Sequence, residues 1–133
     1  KREPILFEDG KQQRDFVYVK DVANANLLGL ESKASGVYNI GTGKPTSLLK
    51  ITSQLEELVG EQIPPKMTYE FRFGDNRHDF ADITKARKEL KFLPKWTLEK
   101  GLRELIEWSS KESARDKFDK AEKERKTYFS LTW

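Results

Sequence analysis

The sequence has no cysteine and a single histidine, His78. Without cysteine it can form neither a disulfide nor a thiolate zinc site, and one histidine is too few for a metal site built from several histidines. No apolar run approaches the roughly 18 residues of a membrane span, and no secretory signal is recognisable. We expect a soluble, cytoplasmic protein with no metal site and no membrane partner.

Apolar residues are also scarce. They make up 36% of the 133 residues, against 35% charged, whereas soluble domains average about 45–50% apolar on a count that includes glycine. This composition predicts a thin core, part of which a partner would cover. The 25 Lys and Arg exceed the 22 Asp and Glu by a formal charge of +3. Because this excess is scattered along the chain, we do not expect a nucleic-acid partner.

The residue pattern predicts a small mixed α/β fold without internal repeats. Strands are expected where β-branched and aromatic residues cluster between turn residues, at 5–7, 14–19, 37–40 and 67–71. Asp21 is predicted to cap a first helix that buries Ala23, Leu27 and Leu30, which are spaced as one helical face.

Three further helices are predicted from their end signals. Thr46 or Ser47 caps the first of them, and Gly60 fits the position just after its last turn. Asp82 begins the next, and Thr97 caps the last.

The composition changes after Trp108, which divides the chain into a main region, 1–108, and a charged helical tail, 109–133. In the tail, acidic residues repeatedly precede a lysine by four positions, a spacing that supports a solvated helix. Tyr128, Phe129 and Trp133 near the end leave open a helix that binds a partner. Because its apolar stripe is narrow, we expect the tail to be dispensable for the fold of the rest.

Two motifs lack the spacing that would make them catalytic or cofactor-binding. Gly41-Thr42-Gly43 lies between a predicted strand and helix, but Thr46 stands where a dinucleotide loop needs its third glycine. We therefore interpret it as a structural turn. Tyr18 and Lys20 are only two residues apart, and no tyrosine has a lysine four residues later, one helical turn away. We predict no catalytic and no cofactor-binding residue in this chain.

Arg14 and Arg72 are the candidate ligand-binding residues. Each stands at a boundary between strand and loop, with Gly and Asp nearby. A guanidinium presents a planar fork to phosphate oxygens, so two of them suit a diphosphate. The spacing alone also fits surface arginines or partners in structural ion pairs.

Five segments, in order, resemble one family. They are Glu8–Ala23, with Arg-Asp-Phe-Val-Tyr-Val at its centre, Gly36–Gly43, Arg72–His78, Ala81–Ala86 and Leu93–Leu102. Together they resemble the carboxy-terminal third of the nucleotide-sugar 4-epimerases of the extended short-chain dehydrogenase family, such as UDP-glucose and UDP-N-acetylglucosamine 4-epimerases. The resemblance runs from about Ile5 to Trp108. Related dehydratases and decarboxylases share much of the pattern.

The resemblance implies the substrate-binding lobe of an enzyme of carbohydrate metabolism, without its Rossmann domain. In such an isomerase, NAD takes a hydride from the sugar and returns it to the other face. The missing amino-terminal Rossmann domain would supply the NAD site and the Tyr/Lys pair, so we predict that this chain alone is inactive. The full-length protein would be a homodimer that binds a UDP-sugar. A stand-alone interaction module built on the same scaffold is the alternative.

The resemblance also assigns roles to three residues. Arg14 and Arg72 match family arginines that contact the nucleotide diphosphate, and Asp75 matches a residue near the ribose. Asp79 departs from the family pattern, because relatives often carry Ser or Tyr there. An acid close to a diphosphate is expected to weaken binding.

Overall fold

The computed structural model describes residues 3–70, 74–113, 119 and 123. Its helices and strands are short and alternate along the chain. In chain order they are β1 (Ile5–Leu6), β2 (Gln13–Asp15), α1 (Val19–Glu31), β3 (Pro45–Ser47), α2 (Leu48–Val59), β4 (Lys66–Met67), β5 (His78–Asp79), α3 (Thr84–Glu89) and α4 (Leu98–Ser109). The predicted mixed α/β fold is confirmed.

Two small sheets connect distant parts of the sequence. In one, β1 and β4 run parallel. In the other, β2 lies in the centre, antiparallel to β3 and parallel to β5, so that Arg14 lies opposite Thr46 on one side and Asp79 on the other. Since β2 has a neighbour on both sides, the position of Arg14 is fixed from two directions.

The core is small. Ala25 of α1, Ala86 of α3, Leu90 and Phe92 form its buried cluster, and half-buried apolar residues from 28–40 pack against it. Phe92 is the largest fully buried apolar side chain among the described residues. A core of this size agrees with the low apolar content of the sequence.

The predicted start and buried face of α1 are both wrong. The helix begins at Val19, with Tyr18 at the N-cap and no side-chain cap hydrogen bond. The Asp21 carboxylate cannot cap it because it accepts the amides of Lys95 and Trp96, at 2.9 and 3.0 Å. The helix buries Asp21 and Ala25, while the predicted stripe is exposed, with Leu27 52% and Leu30 84% accessible. The helix has two apolar faces, and periodicity could not show which one meets this core.

Three predicted strands are shortened and one is missing. The strand expected at 5–7 ends at Leu6. The strand expected at 14–19 ends at Asp15, because Val19 already belongs to α1, and β4 ends at Met67. Segment 37–40 forms no strand, since no described strand lies beside it. It still alternates as a strand would, with Val37 and Asn39 exposed and Tyr38 and Ile40 half-buried.

The other helix signals were good predictors. The Ser47 side chain caps α2 by accepting the Lys50 amide, and Gly60 forms its left-handed C-cap at φ 74°. Thr97 caps α4 through the Lys100 amide. Asp82 accepts the Thr84 amide at 2.9 Å, although the first residue of α3 is Thr84 itself.

The predicted division at residue 108 falls near the end of α4, which runs to Ser109. Beyond residue 113 only Asp119 and Lys123 are described, both in helical conformation. Because most of the predicted tail lies outside the described residues, the division into 1–108 and 109–133 stays a prediction. None of the described helices has the length and apolarity needed to cross a membrane.

Candidate functional site

A cavity of about 340 Å³ opens beside the central strand β2. Its lining comes from β2, from the end of segment 37–40 and from the stretch that follows β5. The lining residues are Arg14, Asp15, Asn39, Ile40, Asp79, Phe80 and Ala81. The structure therefore places the predicted residue Arg14 in a concave site of the size that small ligands occupy.

The Arg14 guanidinium is hydrogen-bonded through only one of its nitrogens among the described residues. Its Nη1 donates to the backbone carbonyl oxygens of Gln13, at 2.8 Å, and Arg77, at 3.3 Å. Among the described residues nothing accepts a hydrogen bond from Nε or Nη2. A guanidinium has five N–H donors, so an oriented edge of this side chain remains available for an anion.

Asp15, the next residue, ties three segments together around the cavity. Its carboxylate accepts the Thr42 amide at 2.8 Å, the Thr42 hydroxyl at 2.6 Å, the Gly43 amide at 2.9 Å and the Ala81 amide at 3.3 Å. Burial raises the pKa of Asp15, but these hydrogen bonds outweigh it, and the net pKa lies below its usual value. Asp15 is thus an ionised anchor for the loop at 41–43 and for residue 81.

The Gly41-Thr42-Gly43 loop therefore wraps a carboxylate of its own chain. A Cβ at Gly41 would stand 2.4 Å from Asp15 Oδ2, which is shorter than any tolerable contact. Glycine is required there for this close approach, and the loop amides are already in use. Residues 41–43 lie in no helix or strand, and the loop is a turn that surrounds the Asp15 carboxylate.

Arg77 fixes the segment that leads into β5, a role that we did not predict. Its guanidinium binds both Asp9 carboxylate oxygens, at 2.8 and 2.9 Å, and also contacts the Glu8 carboxylate. The Arg77 guanidinium lowers the pKa of Asp9 below its usual range. The Glu-Asp-Gly sequence at 8–10 and the Asp-Asn-Arg sequence at 75–77 were the only signals for this contact.

The other predicted site residues are placed differently. Asp79 lies beside Arg14 in the β2–β5 register and lines the same cavity. Asp75 is exposed and is not among the described residues that line it. Arg72 lies outside the described residues, so its position relative to Arg14 stays a prediction.

Tyr18 and Lys20 meet at one carboxylate. The Tyr18 hydroxyl donates to Glu104, and Lys20 Nζ lies 2.8 Å from the same group. The hydrogen bond to Glu104 raises the pKa of Tyr18, whereas a tyrosine acting as a base needs a lowered pKa. The Tyr18 ring also stacks on Trp96, with centroids 4.4 Å apart. This cluster joins the start of α1 to α4.

The described residues contain no group of three or more potential metal ligands.

Comparison with known proteins shows what this chain is similar to. The profile of the NAD dependent epimerase/dehydratase family matches residues 1–41. This match covers the first 41 of the 133 residues, and similarity to epimerases of the extended short-chain dehydrogenase type extends over about 80% of the chain. The relatives that it matches include nucleotide-sugar 4-epimerases and an ADP-L-glycero-D-manno-heptose-6-epimerase.

Three of these relatives illustrate the extent of the similarity. The dTDP-L-rhamnose 4-epimerase of Burkholderia thailandensis is 37% identical over 109 residues, which cover 80% of this chain and 30% of that protein. The UDP-glucose 4-epimerase of Thermotoga maritima, solved with UDP-glucose, is 40% identical with a TM-score of 0.78, over 83% of this chain and 35% of that chain. The UDP-glucuronic acid 4-epimerase of Bacillus cereus, solved with UDP-glucuronic acid and NAD, is 32% identical with a TM-score of 0.72, over 80% and 36%. The chain thus spans about a third of the length of these relatives.

Proposed function

We propose that this chain is the carboxy-terminal, substrate-binding region of an NAD-dependent nucleotide-sugar epimerase of the cytoplasm. Its ligand is a UDP-sugar, with UDP-glucose or UDP-N-acetylglucosamine as the first candidates. Arg14 and Arg72 bind the diphosphate, and Asp75 lies near the ribose. The main support for this proposal is the position of the Arg14 guanidinium at the wall of a cavity. Its Nη1 is hydrogen-bonded to the backbone, and its other nitrogens remain available to bind an anion.

The chemistry of this site is binding and positioning. A phosphate oxygen on the free edge of Arg14 would make charge-assisted hydrogen bonds without reorienting the side chain. Binding energy gained at the diphosphate, away from the reacting carbon, holds the sugar in place for reaction and so contributes to turnover. We propose that the groups that react with the sugar belong to the amino-terminal Rossmann domain.

The exposed apolar surface supports a further domain next to this one. Val19, Leu27 and Leu30 lie along one face of α1 with 68%, 52% and 84% of their surface accessible, and Val37 is 84% accessible. An apolar helix face that meets no core normally packs against another element. Segment 37–40, which has strand alternation but no strand partner among the described residues, is suited to join the edge of another sheet. We propose that the amino-terminal Rossmann domain covers this surface, and that the full-length protein is a homodimer.

Turnover tests the proposal. A protein that carries the preceding residues as well as this chain should interconvert UDP-glucose and UDP-galactose, or the N-acetylated pair, with NAD bound. The 133-residue chain alone should show no turnover and no NAD binding. Turnover by the short chain, or dehydration or decarboxylation by the longer protein, would contradict it. Sedimentation of the longer protein as a monomer would contradict the homodimer.

A further inference from the structure

A second cavity, of about 430 Å³, lies between the loop after Gly41, the end of α3 and the start of α4. The first cavity and this one share no lining residue. They are nevertheless neighbours, because Asp15 lines the first, Thr42 lines the second, and the Thr42 hydroxyl donates to the Asp15 carboxylate at 2.6 Å.

Three cations line this second cavity. They are the side chains of Lys44, Arg87 and Lys95, and all three residues are exposed. No carboxylate is among the described residues that line the cavity. None of the three side chains makes a hydrogen bond or ion pair with the part of the chain that the structure describes. By contrast, Arg77 and Arg103 are both bound to carboxylates. The cavity therefore gathers three cations that no carboxylate among the described residues contacts directly.

The rest of the lining is apolar or carries hydroxyl groups. Leu93 is 57% accessible although it lines the cavity together with Pro94, and Thr42 and Thr97 add hydroxyl groups. A cavity of this volume accommodates a small molecule. A ligand that fits it would combine an anionic group for the cations with an apolar part for Leu93 and Pro94.

From this arrangement we infer a binding site for a small organic phosphate. A phosphate monoester carries a charge of about −1.5 to −2 at neutral pH. This charge complements three cations better than the single negative charge of a carboxylate does. The fork of Arg87 can bind two phosphate oxygens, while Lys44 and Lys95 act as point charges. The site is distinct from the diphosphate site proposed at Arg14 and does not depend on it.

Phenyl phosphate is a suitable probe because it joins one phosphate to one apolar ring. We expect titration of the 133-residue chain, followed by NMR, to shift the amide signals of Thr42, Lys95 and Thr97. Phenyl phosphate should bind more tightly than inorganic phosphate, and phenol should not bind. Raising the salt concentration should weaken binding, since exposed charges are screened.

Matched variants separate this site from other surface charge. Arg87→Gln should weaken phenyl phosphate binding roughly threefold to tenfold, because it removes a charged hydrogen-bonding group. Arg103→Gln removes the same charge from an exposed arginine of α4 and should leave the affinity unchanged. The amide signals of Thr42, Lys95 and Thr97 report this site and those of Arg14 and Asp79 report the diphosphate site, so failure here and failure of the diphosphate proposal are distinguishable.

Three results would overturn the inference. The first is equal affinity in the Arg87 and Arg103 variants when thermal melting shows both to be folded. The second is a response to phenyl phosphate confined to residues around Arg14. The third is cosedimentation with phosphatidate vesicles without any response to phenyl phosphate, because the ligand would then be a membrane surface and not a small molecule.

Discussion

Asp15 and Asp21 each accept hydrogen bonds from backbone amides that are distant in sequence. Asp15 holds Thr42, Gly43 and Ala81, and Asp21 holds Lys95 and Trp96. Both acids occur in the segment 8–23 that resembles the family, and both act on structure. An acid in a family motif can thus serve to position a loop beside the site.

Replacement of Asp15 by Asn should destabilise the chain by about 1–3 kcal/mol at pH 7, because an amide cannot accept from all these donors. The folded pKa of Asp15 lies below its unfolded value. Its contribution is therefore complete above the unfolded pKa of about 4 and is lost as the pH falls through the lower folded pKa.

Denaturant unfolding of wild type and Asp15→Asn between pH 2 and pH 7 measures this difference. The gap in unfolding free energy should narrow below about pH 4. The control is Asp82→Asn, which alters an exposed carboxylate that accepts hydrogen bonds from Thr84 and should have a smaller effect. A gap that is independent of pH would contradict the role of the ionised carboxylate.

Asp79 lies beside Arg14 on the adjacent strand and lines the same cavity. In a protein with the complete site, Asp79→Ser should tighten UDP binding roughly twofold to fivefold by removing a negative charge near the phosphates. Calorimetry is the measurement, with Glu99→Gln on α4 as a remote loss of the same charge. Weaker binding by the Asp79 variant would mean that this carboxylate holds the ligand.

At the scale of elements, a close contact fixes α4 against the start of α1. Gly101 of α4 lies under the Tyr18 ring, where a Cβ would stand 2.9 Å from Tyr18 Cδ2. The ring cannot easily move aside, because it stacks on Trp96 and its hydroxyl donates to Glu104. The absence of a side chain at Gly101 therefore decides how closely these elements approach.

Gly101→Ala and Gly29→Ala form a matched pair, since both place alanine inside a helix. Alanine has a helix propensity about 1 kcal/mol better than glycine, and nothing lies within 4 Å of a Cβ at Gly29. Gly29→Ala should raise the melting temperature. Gly101→Ala should lower it, through overpacking of about 1–3 kcal/mol. A rise in both variants would show that Tyr18 can move away at little cost.

The helices illustrate what could be predicted from the sequence. Ser47, Gly60 and Thr97 act within a few residues of themselves, so their capping roles could be predicted locally. The function of Asp21 depends on amides more than 70 residues away, at 95 and 96. No local pattern contains that information, and the same holds for the contact of Arg77 with Asp9.

The site was only partly predictable for the same reason. Arg14 was identified because its motif resembles a family, and the structure places it at a cavity. The side-by-side placement of Arg14 and Asp79 follows from strand pairing over more than 60 residues, and Asp15 finds its partners 27 to 66 residues away. Segment 37–40 was predicted as a strand from correct alternation, but a strand also needs a partner, which the described residues do not supply.

At the scale of the whole molecule, the two apolar faces of α1 predict different behaviour in different lengths of protein. Leu27→Gln with Leu30→Gln should leave the 133-residue chain within about 0.5 kcal/mol of wild type, because these side chains are exposed. In a protein with the preceding residues, the same pair should cost about 1.5–3 kcal/mol for each leucine that is buried.

Thermal melting of both lengths tests this. Leu28→Gln is the control, since Leu28 packs on the core and should destabilise both proteins. Equal, negligible effects of the Leu27 and Leu30 pair in both lengths would contradict a covering domain.

The central claim is that Arg14 and Arg72 bind the diphosphate of a UDP-sugar. Titration calorimetry with UDP on a protein that carries the preceding residues tests it most directly. Arg14→Ala and Arg72→Ala should each raise the Kd about tenfold to a hundredfold, since charged hydrogen bonds contribute about 1.5–3 kcal/mol. The lysine variants should recover only part of this loss, because an ammonium cannot make the two-pronged contact. Arg103→Ala, on exposed α4 surface, should bind as wild type does. Wild-type affinity in both the Arg14 and Arg72 variants would contradict the claim. It would mean that these arginines are surface residues with no role in binding the diphosphate.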